Sequence, residues 1–103
     1  MKIYISGKIS GLSEKEYKYN FYLADLEVSE QYSWIYKDAK IINPINIKPF
    51  LGIRCWLCYM ITDLYALRKC THIAMQRNWI DSRGACVEYF IAKFIFKLDV
   101  VFL

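Results

Sequence analysis

The chain has 103 residues, of which 56% are hydrophobic, 17% aromatic and 23% charged, and its formal net charge is +4. One domain over residues 1–103 is the natural reading at this length; the charged fraction argues against disorder, and the lysines and arginines are scattered, without the runs that mark a nucleic-acid-binding tail. No apolar run reaches the ~18 residues that span a bilayer, and the opening MKIYISGKISG lacks the long apolar stretch of a signal peptide, so the expectations are a cytoplasmic location and neither a membrane nor a nucleic-acid polymer as partner.

KIYIS (2–6) reads as a first strand, β-branched and aromatic, and Gly7 closes it. GKISG follows as a glycine-flanked loop. SEKE (13–16) fits a capping box, with Ser13 as N-cap and Glu16 reaching back. A helix is then predicted to about residue 33, with Tyr17, Phe21, Ala24 and Val28 at helical spacing on one face. AKII (39–42) is a short second strand ended by Asn43-Pro44, and NPINIKPFLG, with both prolines and a glycine, is a loop. A second helix is predicted over about 54–69, a third strand at HIAM (72–75), a loop at QRNWID, a third helix over about 83–96 and a last strand at LDVVFL (98–103). Strands alternating with helices predict an α/β fold, a small flavodoxin-like or Rossmann-like three-layer sandwich. Its parallel sheet would have four to five strands, with helices on both faces. Ligands of such sheets bind beyond the carboxyl ends of the strands, here the loops around 6–12, 43–53 and 76–83.

The four cysteines, Cys55, Cys58, Cys70 and Cys86, read as thiols packing as small hydrophobes. CWLC (55–58) falls within a predicted helix rather than after a strand, and the other two cysteines are too far apart in sequence to form the second close pair of a structural zinc site. His72, the one histidine, opens a strand and reads as a strand-edge residue. No metal and no cofactor are expected. The apolar composition, together with Phe90 and Phe94 toward the basic side of the third helix, predicts a homodimer or higher homo-oligomer.

Two acids stand out when the helices are projected at about 100° per residue. Gly84, Ala85, Ile91, Ala92 and Ile95 fall on the side of Glu88, whereas Arg83, Lys93 and Lys97 fall opposite. Trp56, Tyr59, Met60, Ala66, Leu67 and Cys70 surround Asp63. Each acid is therefore the lone carboxylate of an apolar, sheet-facing side, without the i±4 partner of a surface helix pair. An unpaired buried carboxylate costs several kcal/mol or shifts its pKa. Each acid could accept hydrogen bonds from a nearby tyrosine, tryptophan or amide. Alternatively the two form a pair at a cleft, one as nucleophile or charge stabiliser and one as general acid/base, the logic of glycosidic bond cleavage. Ser82, Arg83 and Gly84 open the third helix just after a strand, where free N–H groups favour an anion. Ser6, Gly7 and Lys8 belong to a second glycine-flanked loop at the same sheet edge. Trp79 could stack on a base or simply pack.

KIYISGKISG, the Asn-Pro pair, WLCYMITDLYALRKC and NWIDSRGACVEYFIAK resemble a small family of uncharacterised proteins related to nucleoside 2-deoxyribosyltransferases and deoxynucleoside 5′-monophosphate N-glycosidases. The resemblance implies a flavodoxin-like oligomer that binds a small-molecule nucleoside or nucleotide and breaks its N-glycosidic bond. It implies Glu88 as the nucleophile that forms a deoxyribosyl-enzyme intermediate, Asp63 as the acid assisting departure of the base, and Tyr4 as the residue that positions the nucleophile. Ser82 is similar to a serine that contacts a 5′-phosphate. The first loop departs from that pattern, with Lys8 and Ser10 where relatives carry serine and arginine, and Thr71 stands where relatives often have aspartate. A non-catalytic nucleotide-binding module with the same cleft is the alternative.

Overall fold

The computed structural model describes residues 2–9, 11–32, 40–46 and 56–103. Strand β1 (Lys2–Ser6) is followed by helix α1 (Glu14–Tyr32), strand β2 (Lys40–Ile42), a single 3₁₀ turn at Pro44–Asn46, helix α2 (Trp56–Leu67), strand β3 (His72–Met75), a second 3₁₀ turn at Trp79–Asp81, helix α3 (Arg83–Phe90) and strand β4 (Asp99–Phe102). The expected start of the second helix at 54, Cys55 and Ser10 lie outside the described residues.

The four strands form an all-parallel sheet in the order β2-β1-β3-β4. Its register sets Tyr4 beside Ile42 on one side and Ile73 on the other. Successive strand residues face opposite ways, which splits β1 between two cores. Ile3 and Ile5 pack with Phe21, Ala24 and Val28 of α1 and with Ala74. Tyr4 packs with Leu67, Cys70, Ile73, Met75, Ala85 and Ala92. One face of the sheet thus carries α1 and the other α2 and α3, consistent with the flavodoxin-like three-layer sandwich expected from the alternation of elements. Among the described residues no helix is long and apolar enough to cross a membrane.

Local chemistry explains the boundaries. The Glu16 N–H donates to Ser13 Oγ at 3.2 Å and the Ser13 N–H donates to Glu16 Oε1 at 3.3 Å, a complete capping box that starts α1. Thr71 ties the start of the first strand to the third: its Oγ1 accepts from the Lys2 N–H at 3.1 Å and donates to the Lys2 carbonyl at 3.0 Å. His72 opens β3 as expected, with Nδ1 2.8 Å from Thr71 Oγ1 and Nε2 3.5 Å from Asp99 Oδ2.

The third helix differs from its expected form. It is α-helical only over Arg83–Phe90 and widens to a π-helical turn over Ile91–Ile95. The Phe96 N–H reaches back five residues to the Ile91 carbonyl at 2.9 Å, and Lys97 closes the end at φ 56°. Lysine in this left-handed conformation carries the steric cost that glycine avoids. The extra residue in the turn shifts the exposed side chains beyond Phe90 from their ideal helical projection.

Candidate functional site

The sheet order reverses between β1 and β3, because the chain steps outward to β2 before returning to β3. A crevice opens at such a switch point beyond the carboxyl ends of the strands. Here it is a cleft of about 420 Å³. Gly7 forms its floor, Asp63 and Met60 come from α2, and Ser82, Gly84, Ala85 and Glu88 come from α3 and its cap.

Helix periodicity explains the α3 wall. Ser82 is the N-cap, and its Oγ accepts from the Ala85 N–H at 3.2 Å. Glu88 lies one turn beyond Ala85 and Gly84, and their small side chains leave the carboxyl a path to the cleft. Glu88 is 6% exposed and Asp63 is 9% exposed. Burial raises the Glu88 carboxyl from its ordinary 4.5 to about 8; the nearby Asp63 charge adds to the rise, and the Tyr4 hydroxyl opposes it. Burial also raises Asp63 from 3.8 to about 7. The more deeply buried acid holds its proton more tightly.

Tyr4 is fully buried on β1 beneath the two acids. Burial first, then the Glu88 and Asp63 charges, push its hydroxyl well above the ordinary range. The hydroxyl faces Glu88 closely enough for the two to influence each other's protonation, yet Tyr4 Oη and Glu88 Oε2 both fall short of a completed hydrogen bond. Ser6 Oγ, two residues along on the same face of β1, is also buried without a partner. Of these three buried atoms without a partner, Glu88 Oε2 belongs to a residue of the cleft lining, whereas Tyr4 and Ser6 lie behind it, outside the lining.

The remaining expected residues divide. Gly7 lines the cleft, and a Cβ there would lie 2.4 Å from the Gln76 amide carbon, so a larger residue would require that side chain to turn aside. Lys8 is not in the lining; its backbone N–H donates to Asn78 Oδ1 at 3.1 Å. Arg83 is exposed and also outside the lining, as its projection away from Glu88 requires. Trp79 is outside it too. Its ring packs at 4.8 Å on Tyr89 and 5.9 Å on Phe102, as the packing alternative expects. Tyr59 and Met60 of α2 join Asp63 in the lining, as the projection of that helix expects, whereas Tyr17 and Lys18 of α1, Ile9, Pro44 and Ile45 were not expected as site residues. Ile9, Pro44 and Ile45 do fall in the sheet-edge loops where ligands were expected.

Among the described residues no group of histidine, cysteine, aspartate and glutamate has the arrangement of a metal site. Cys58, Cys70 and Cys86 are thiols, and burial raises Cys70 to about 11, which leaves it protonated at neutral pH.

Residues 1–102 match the family model described as Domain of unknown function (DUF4406). No curated protein and no solved structure matches the chain.

Proposed function

Since the chain belongs to the DUF4406 family, whose description assigns no activity, the site must supply the functional reading, and we propose that this protein cleaves the N-glycosidic bond of a nucleoside or nucleotide, as a hydrolase or a deoxyribosyltransferase. The observation that carries the proposal is the pair of buried carboxyls, Asp63 and Glu88, raised in pKa by burial and lining one cleft with the N-cap of α3. The sugar and base come from the motif resemblance.

The chemistry follows from the protonation states. Glu88, as carboxylate, attacks the anomeric carbon; the bond from that carbon to the base nitrogen breaks, and the departing base takes a proton from Asp63. Asp63, now ionised, accepts a proton from water, which displaces Glu88 from the sugar; a second base in place of water gives transfer. The Tyr4 hydroxyl, closing its hydrogen bond on Glu88, favours the carboxylate form that attacks. This step requires Glu88 to be ionised while Asp63 keeps the proton, against their order in the free protein. The reactive form is therefore a minor arrangement of a pair that shares one proton.

The test is incubation with 2′-deoxynucleosides and their 5′-monophosphates, with free base measured by chromatography. Release that Glu88→Ala abolishes supports the proposal. Base release by Glu88→Ala at the wild-type rate would defeat the mechanism, and tight nucleotide binding in calorimetry without turnover would establish the binding-module alternative.

A further inference from the structure

A second cavity, separate from the cleft of Asp63 and Glu88, runs beside α1. It is a groove of about 330 Å³, at the small end of the range for ligand pockets. Leu23 and Glu27 line it from α1, Gln76 and Arg77 from the segment after β3, and Leu103 from the end of β4.

Gln76 is the buried polar residue of this lining. Its backbone N–H donates to the Ser6 carbonyl at 2.9 Å, which sets it level with the end of β1. Strand alternation turns its side chain to the face of the sheet that carries α1, as it does Ala74. There the amide rests against Gly7, where a Cβ would lie 2.5 Å from Nε2. Gln76 is 6% exposed, and Nε2 makes no hydrogen bond. A buried donor without an acceptor is costly to the fold, and an acceptor entering the groove would supply one.

The charges of the lining are open as well. Arg77 and Glu27 border the same groove from different elements, and neither takes part in an ion pair among the described residues. Asn78, also in the lining, has its Oδ1 engaged by the Lys8 N–H at 3.1 Å and keeps its NH₂ as a donor. Donors from three consecutive residues thus stand on one side, a carboxylate on the other, and the leucines between them are apolar. A simple anion would meet Glu27 and a simple cation would meet Arg77, whereas a zwitterion satisfies both. We propose that this groove binds a free apolar α-amino acid. Its carboxylate is held by Gln76, Arg77 and Asn78, its ammonium by Glu27, and its side chain packs on Leu23 and Leu103.

Nuclear magnetic resonance titration of the full chain with L-leucine, L-methionine and L-phenylalanine tests the proposal. Its outcome is independent of the proposed reaction, because the acid pair lies in the other cleft. The expected result is a saturable shift of the Gln76 side-chain NH₂ and of the Arg77 and Asn78 amides, with a Kd of about 0.1–1 mM for at least one of the three. N-acetyl and carboxamide derivatives of that amino acid, each lacking one charge, bind at least about tenfold more weakly. Arg77→Ala and Glu27→Gln, at positions the fold leaves exposed or half-buried, each weaken binding by a similar factor. Glu30→Gln, outside the groove, and Glu88→Gln, in the other cleft, bind as wild type. The proposal is overturned by the absence of a saturable shift from all three up to about 10 mM, by equal binding of either blocked derivative, by unchanged affinity in Arg77→Ala or Glu27→Gln, or by shifts confined to residues around Asp63 and Glu88.

Discussion

Replacing Glu88 by glutamine should change stability with opposite sign at the two ends of the pH scale. The carboxyl is ordinary in the unfolded chain, near 4.5, and raised to about 8 in the folded one. Between those values the unfolded chain is ionised there and the folded chain is not, so the folded state loses about 1.4 kcal/mol for each pH unit of rise. Below pH 4.5 both states are neutral and the linkage vanishes; above about 8 it levels off. At pH 7 the accumulated penalty is roughly 3 kcal/mol by this linkage. Glutamine has nearly the same shape and never ionises, so it escapes that penalty. It brings instead a buried NH₂ facing the unpaired wall, which costs about 1 kcal/mol. The balance makes Glu88→Gln about 1 kcal/mol less stable than wild type at pH 4 and about 2 kcal/mol more stable at pH 7, with a crossing between roughly pH 5 and 6. Urea denaturation followed by circular dichroism at a series of pH values measures this directly. Two stability curves that stay parallel from pH 4 to pH 8 would refute the reasoning, because they would mean that Glu88 titrates alike in both states. A glutamine variant less stable throughout would place Glu88 among acids held by structural hydrogen bonds.

Three further outcomes follow. If the acid pair must share one proton for glycosidic cleavage, the rate should be bell-shaped in pH, with limbs near the Asp63 value of about 7 and the Glu88 value of about 8; a rate flat from pH 5 to 9 would contradict this. Gly7→Ala brings a methyl group against the Gln76 amide, which must turn aside, and should cost about 1 kcal/mol in thermal or urea unfolding, and adding Gln76→Ala should recover part of that loss, whereas strict additivity would mean that the two side chains do not meet. Thr71→Val keeps the shape and the backbone bond to the Lys2 carbonyl but removes both side-chain hydrogen bonds to the Lys2 backbone, and should cost about 1 kcal/mol, read as a lowered melting temperature with unchanged activity.

Residues whose environment is set by their own element were readable in the sequence. HIAM became β3 at His72–Met75 and SEKE the capping box of α1, because alternation and capping are local. The burial of Glu88 and Asp63 followed from projecting each helix alone. The opposite wall of the cleft did not. Tyr17 and Lys18 sit on α1, on the other face of the sheet from α2 and α3, and meet the acids only because the strand order reverses between β1 and β3. The hydrophobic pattern assigned Tyr17 to the core with Phe21; it lies at the helix end nearest the cleft and is half-buried there. The ring contacts of Trp79 with Tyr89 and Phe102 join it to two later elements, which no local pattern could show. The π-helical turn at Ile91–Ile95 left no trace in an apolar sequence that fits an ordinary helix equally well.

The choice between an ordinary pair of buried acids and a ligand-facing pair turns on hydrogen bonds. Buried carboxylates that serve only the fold accept bonds from amides or hydroxyls, which lower their pKa and offset desolvation. Among the described residues Glu88 Oε2 accepts none, and Tyr4 and Ser6, whose hydroxyls face the same side of the sheet, are also unpaired. Both carboxyls are raised, with burial the largest cause in each case. Glu88, the one of the three in the cleft lining, is thus left to pair with a hydroxyl group, which accepts from the acid when it is protonated and donates to it when it is ionised. A phosphate dianion cannot donate, and it would be repelled by whichever acid of the pair is ionised. Lys18, the cation in the described lining, is already paired with Glu14. On the proposed function, the part of the cleft next to Asp63 and Glu88 would take the uncharged sugar ring, and a phosphate would lie toward the α3 N-cap at Ser82.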